Sequence, residues 1–200
     1  MRLVMGTARK PARVSIEDYL GSELRSPVKH EYVDGNVHAM AGRTNNHNSI
    51  TGNVAANLHS KLRGKPCRPF NSDTKIRVRM TSQTRFYYPD VSVVCHPNPP
   101  GDFFQDAPVV IVEVLSRATR RTDMTEKKDA YLAMSTLMVY VLVEQDEPSA
   151  TVYRRTADGF ESEIFEGLDA VIPLPEIETD LALSEVYEEV TFAPEPDDEF

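Results

Sequence analysis

The sequence predicts an α/β domain, with a mixed β-sheet core flanked by helices and additional β-hairpins. Three observations carry this prediction. Residues 74–80, TKIRVRM, alternate apolar and basic side chains at the period of a strand with one buried face. Residues 87–95 (YYPDVSVVC) and 109–115 (VVIVEVL) are strand-length apolar runs. A helix-patterned segment, 122–135, separates the second run from a third, MVYVLVE at 138–144. Strand, helix and strand in that order predict a right-handed parallel crossover. The four strands are expected in one sheet.

The other elements follow in chain order. Residues 15–26 read as a short helix, with Ser15 as N-cap, Asp18 three residues on and Pro27 as the stop. Residues 29–42 give a hairpin signal, two alternating runs around Asp34-Gly35. Residues 47–64 are helical, with Ile50, Val54, Ala55, Leu58 and Leu62 on one stripe and Gly64 at the end. The exposed face of strand 74–80 carries Lys75, Arg77 and Arg79. A Pro-rich loop joins the runs at 87–95 and 109–115. Thr122 caps the helix 122–135, whose buried face is marked by Met124 and Tyr131. A second hairpin turns at Asp158-Gly159. Residues 14–190 form one domain, between a flexible N-terminus at 1–13 and a solvated acidic tail at 191–200.

Composition narrows the class. The chain has 200 residues, enough for one sizeable core. No apolar run approaches the roughly 20 residues of a membrane span, and the basic N-terminus lacks the apolar stretch of a secretory signal. Cys67 and Cys95 are far apart and show no partnering pattern, so neither a disulfide nor a zinc site is expected and a cytoplasmic location is the default. Cys95 reads as a small buried residue. The net charge of −9 argues against a non-specific nucleic-acid coat. Residues 61–85 nevertheless hold eight Lys or Arg against Asp73 alone, so one basic face is compatible with the total.

Two carboxylates stand out. Asp90 opens one apolar run and Glu113 lies within the other. A carboxylate among Val and Ile costs several kcal/mol unless a cation compensates it. If the two strands are neighbours and antiparallel, both acids come to the same end of the sheet. A divalent ion is the simplest shared compensator. Lys127 and Lys128 follow on the next helix. Lys127 lies four residues before Tyr131 and three after Met124, so it shares their face and is the lysine expected to turn inward. Alone, each acid has a plain reading, with Asp90 as a cap at the strand entry and Glu113 as the partner of an arginine. Asp123 reads as a helix cap or an arginine partner, and Tyr131 as core. Ser116 and Thr119 lack the elbow and histidine that a nucleophilic serine would need.

With those residues in view, the chain resembles a known family. EYVDGNVHAMAG, the His47-Asn48 pair, YPDVSVVC and, most specifically, EVLS-x-x-T-x-x-x-D-x-x-x-K-x-x-x-Y from Glu113 to Tyr131 are similar to the Uma-two family of restriction-endonuclease-like proteins. That family is widespread in bacteria and belongs to the PD-(D/E)XK nuclease superfamily. The resemblance runs from about residue 14 to about residue 187. It implies a hydrolase, a metal-dependent endonuclease using Mg2+ or Mn2+. DNA is the implied substrate, RNA the alternative, and the expected assembly is a homodimer with no membrane partner. By that pattern Asp90, Glu113 and the backbone carbonyl of Val114 are metal ligands, and Lys127 completes the catalytic set with Asp90 and Glu113. Leu115 stands where the superfamily has lysine, and the family supplies the lysine from the next helix instead. Glu31 matches a family acid, which by the resemblance would support or extend the metal site, and His47, in the family's His-Asn pair, is either a site residue or a structural group at the helix start. Arg117, Arg120 and Arg121 are the nearest candidates for substrate phosphate. The alternative is a catalytically inactive nuclease fold that binds nucleic acid or protein.

Overall fold

The computed structural model of the chain describes residues 13–40 and 42–192. The expectations for the N-terminus and the acidic tail fall outside these residues, apart from Arg13, Thr191 and Phe192. Helix α1 (Ile16–Glu23) starts where Ser15 accepts from the Asp18 amide. The hairpin β1 (His30–Val33) and β2 (Asn36–Ala39) turns at Asp34-Gly35, both with positive φ, the geometry a two-residue turn requires. Helix α2 (Asn45–Lys61) starts two residues before His47, capped by Thr44. Its stripe Ile50, Val54, Leu58 and Leu62 is buried as the spacing predicts. Strands β3 (Arg68–Asn71), β4 (Lys75–Arg79), β5 (Thr84–Tyr87), β6 (Val91–Val94), β7 (Phe104–Gln105) and β8 (Pro108–Leu115) follow.

The run at 87–95 is not one strand. β5 ends at Tyr87, the chain crosses Tyr88-Pro89-Asp90, and β6 begins in a different sheet. Pro89 has no amide hydrogen for a ladder, so the break falls beside it. One sheet has five strands in the order β2-β1-β5-β4-β7. The other has six, β11-β10-β9-β8-β6-β3, where β9 is Val139–Glu144, β10 Ser149–Thr156 and β11 Gly159–Glu166. Strand 74–80 therefore leaves the common sheet that its pattern suggested. Alternation reports which face is buried, not which strand is the neighbour. The other three strands do share a sheet, with β6 antiparallel and β9 parallel to β8.

The segment joining β8 to β9 is helical but interrupted. It comprises α3 (Arg120–Thr122), a π-helical turn (Asp123–Lys127) and α4 (Lys128–Leu132), and it starts beyond Thr119 rather than Thr122. The second hairpin turns at Ala157-Asp158, one residue earlier than expected, with Thr156 opposite Gly159. A small pair, β12 (Val171–Leu174) and β13 (Thr179–Ala182), and the turn α5 (Leu183–Val186) complete the described chain.

β8 divides the core. Val110, Val112 and Val114 face α2, β12, β13 and α5; Ile111 and Leu115 face α4 and the tyrosines Tyr87, Tyr131 and Tyr140. Glu113 lies on the second face by strand alternation. The basic stripe of β4 is not uniformly wet. Lys75 is buried against the Tyr88 hydroxyl, Arg77 is ion-paired with Asp106, and Arg79 is exposed. Cys67 and Cys95 form a disulfide, contrary to the unpaired reading, and both are half-buried. Their strands pair antiparallel with Arg68 opposite Val94, which places the two cysteines facing each other one step further out. The disulfide removes the argument from unpaired cysteines for a reducing compartment. Among the described residues, no helix is long and apolar enough to cross a membrane.

Candidate active site

The site forms at the seam between the two sheets. Asp90 sits where the chain steps from one to the other. Its amide donates to Glu113 Oε2 at 3.3 Å, and its Oδ2 accepts from the Val114 amide at 2.8 Å. The antiparallel pairing of β6 with β8 is what brings the two acids together. Glu31, on β1, comes from the five-stranded sheet. His47 reaches in from the first turn of α2, with Nε2 3.2 Å from Asp90 Oδ2. Both groups are buried there, and His47 Nε2 has no other polar partner among the described residues.

Lys127 is the hub. Its Nζ lies 2.9 Å from Glu31 Oε1, 3.3 Å from Glu113 Oε1 and 3.3 Å from Asp123 Oδ1. The lysine side chain is only 3% exposed. Lys128 points elsewhere, its ammonium 5.1 Å from the Tyr153 ring centre. Leu115, at the superfamily's lysine position, packs into the core beside Ala130 and Tyr131, and the helix lysine enters the space beside Glu113. The inward stripe of this helix runs through Asp123, Lys127, Ala130 and Tyr131. Met124 is exposed and does not mark it. Asp123 pairs with its own i+4 lysine, so neither the cap nor the arginine reading of it holds. Tyr131, on the same stripe, reaches Glu113 Oε1 at 3.4 Å.

The electrostatics separate the two acids. Burial pushes the Glu113 carboxyl well above the usual range. Lys127 opposes that shift, while Asp123, Asp90 and Glu31 add to it. Burial would also raise Asp90, but His47, then Arg43 and the Val114 amide, outweigh it and hold Asp90 below its ordinary value. Burial would lower Lys127; its three carboxylates, Glu113 first, hold it above the ordinary lysine value instead.

Asp90 opens onto a cleft of about 310 Å3, bordered by Lys29, Arg43, His47, Asn48 and Ser72. A larger cleft of about 740 Å3, bordered by Arg68, Lys75 and Phe103, contains no member of the carboxylate cluster. Of the three predicted phosphate arginines, Arg117 and Arg121 are exposed, and Arg120 is ion-paired with Glu144. Sequence reasoning missed Arg43. It donates to Thr119 Oγ1 at 3.3 Å and borders the Asp90 cleft. Its signal was position alone, one residue before the cap of the helix that carries His47.

Four carboxylates (Glu31, Asp90, Glu113, Asp123) face two permanent cations, Lys127 and Arg43. The surplus of negative charge suits a divalent ion. Asp123 Oδ1 is buried without a hydrogen bond. Among the described residues no three Asp, Glu, His or Cys side chains form a ready cage. A site of two carboxylates and a carbonyl fits an ion that keeps several waters, as Mg2+ does.

Comparison with known proteins agrees with this architecture. The model of the Uma2 family, described as "Putative restriction endonuclease", matches residues 16–184. The chain belongs to the Uma2 family. Two Synechocystis sp. (strain ATCC 27184 / PCC 6803 / Kazusa) proteins are similar to it. "Uncharacterized protein slr1290" is 35% identical over 148 residues, covering 74% of this chain and 77% of that protein. "Uncharacterized protein sll1609" is 28% identical over 144 residues, covering 70% and 80%. Among solved structures, a protein from Anabaena variabilis ATCC 29413 described as a "putative nuclease belonging to DUF820" superposes with a TM-score of 0.66 at 22% identity, over 84% of this chain and 96% of that one. The Uma2 chain described here thus has the restriction-endonuclease-like fold and is nuclease-like by family.

Proposed function

We propose that this Uma2 protein is a metal-dependent endonuclease that hydrolyses phosphodiester bonds in DNA. The observation that carries the reading is the meeting of Asp90, Glu113 and Lys127 across three separate elements, in a cluster with more carboxylates than cations. Asp90, Glu113 and the Val114 carbonyl would hold Mg2+ or Mn2+, which when bound supplies Lewis-acid polarisation of a phosphoryl oxygen and an acidified water. The protein's own residues do the rest. Asp90, held ionised by His47 and Arg43, offers a full negative charge to the cleft. Lys127 keeps its proton and stabilises negative charge developing beside Glu113. Glu31 and Asp123 hold that ammonium in place. Arg43 at the cleft, with the exposed Arg117 and Arg121, supplies cations for the substrate backbone.

One observation favours the second reading, an inactive fold used for binding. Glu113 and Lys127 are almost closed to solvent and neutralise each other directly. Plasmid nicking with purified protein in Mg2+ or Mn2+ decides between them. Nicking that chelation abolishes, and that Glu113→Gln reduces at least 100-fold, supports the endonuclease. Nucleic-acid binding without nicking, and no metal-induced shift in Tm, supports the binding protein.

A further inference from the structure

We propose that the Cys67–Cys95 disulfide is a thiol–disulfide exchange site that clamps the Asp90 cleft, opened by a dithiol reductant. The two cysteines close one end of the β3–β6 ladder. At the other end, Asn71 pairs with Val91, the residue after Asp90. The turn that follows β3 borders the cleft through Ser72. Four residue steps separate the two ends, about 14 Å of strand.

Without the clamp, β3 is held by its four-pair ladder to β6, by packing against α2 and by its turn. It is the edge strand of its sheet, four residues long, and Pro69 gives it no amide donor at one position. Its turn is tethered by Lys29, which donates to the Ser72 carbonyl at 2.9 Å and pairs with Asp73. Those contacts lie on the surface, where ion pairs contribute little. The two cysteines are half-buried at the margin of the core, while the six-stranded sheet behind them is closed to solvent. Attack by a thiolate on one sulfur forms a mixed disulfide and releases the other cysteine as thiolate. The reductant's second thiol then closes its own disulfide, so two electrons and two protons pass to the cysteine pair. Once released, β3 and the Ser72 turn move away from Asp90 and the cleft loses one wall.

Amide hydrogen exchange of the whole protein, oxidised and after dithiothreitol, tests this. Exchange over residues 68–74 is expected to rise at least tenfold on reduction, with residues 139–143 unchanged as internal reference. The Cys67→Ser/Cys95→Ser variant is expected to exchange like the reduced protein under both conditions. Equal exchange over 68–74 in the two states overturns the proposal. So does a protein whose two thiols oxidised glutathione cannot join. The link to catalysis rests on the endonuclease reading and is read separately, as nicking rates at least fivefold apart between the two forms. Nicking by neither form, with the exchange difference intact, supports the clamp and counts against the endonuclease. Equal nicking rates by both forms overturn the link.

Discussion

Lys127 and Glu113 tie the stability of the core to the proposed chemistry. Lys127 is the ammonium shared by Glu31, Glu113 and Asp123. Lys127→Met should cost about 3–5 kcal/mol, because it leaves buried carboxylates without their cation. Urea unfolding measures this, and unchanged stability would show that the cluster is already neutralised by protons. Glu113→Gln keeps the shape and leaves Lys127 with two acids, so its Tm should stay within a few degrees of wild type while nicking is lost. The inward turn of Lys127 was legible from its spacing to Tyr131. Asp123 carried an equally readable signal, acid to lysine at i+4, but a local reading assigns an early helical Asp to capping. Lys75 teaches the converse, since alternation alone placed it in water. It is buried, with the Tyr88 hydroxyl its hydrogen-bond partner at 3.0 Å, and burial holds its pKa below the ordinary value. Lys75→Met should therefore stabilise the protein by about 1–2 kcal/mol at pH 7. The sign fixes the pH dependence. As pH rises through the depressed folded pKa, Lys75 loses its proton in the native state first and wild type gains stability. The advantage of Lys75→Met should thus shrink as pH rises toward the ordinary lysine range, and thermal melts across alkaline pH read it directly.

At the scale of elements, partners decided what patterns could not. The apolar runs at 109–115 and 138–144 and the helix between them were legible, since parallel strands buried on both faces are apolar throughout. The break at Tyr88-Pro89-Asp90 was less so, although proline inside an apolar run is its physical mark. The π-helical turn at Asp123–Lys127 was invisible, because one turn of wider winding leaves the i,i+4 pairing of Asp123 with Lys127 in place. β12 and β13 are too short for periodicity to register. The disulfide was hidden for a different reason. Cys67 and Cys95 are separated by 28 residues that include two strands of the other sheet, so only the folded ladder makes them opposite. Closing a loop of that length stabilises by about 3–4 kcal/mol on the chain-entropy account. Cys95→Ser should lower the urea midpoint accordingly under oxidising conditions and leave it unchanged in dithiothreitol. A loss that persists in reductant would place the effect in packing against α2 instead.

For the whole molecule, a net charge of −9 opposes binding a polyanion in sum, yet the charge is not spread evenly. Glu161, Glu163 and Glu166 lie on edge strand β11 of the six-stranded sheet, four strands along the sheet order from β6, at whose start Asp90 lies. Lys29 and Arg43 border that cleft, and Arg117 and Arg121 are exposed on the segment between Glu113 and Lys127. Lys29 is engaged by Asp73, which leaves Arg43, Arg117 and Arg121 as the cations around the carboxylate cluster that are open to phosphate. Each phosphate contact releases counterions and adds about 0.9 to the slope of log affinity against log salt. Three contacts give a slope of about −3, modest for a nuclease and in keeping with the acidic surface. Arg43 differs from the other two because it also holds Asp90 below its ordinary pKa. Arg43→Ala should reduce the slope by about 1, weaken duplex binding uniformly across sequences, and slow nicking beyond the loss of binding. Arg117→Ala should reduce the slope by the same amount with kcat unchanged. Fluorescence anisotropy with a labelled duplex, titrated from 50 to 200 mM salt in Ca2+, reads the slopes, and saturating-substrate nicking in Mg2+ reads kcat. If both variants keep the wild-type slope, the DNA path does not cross this cleft.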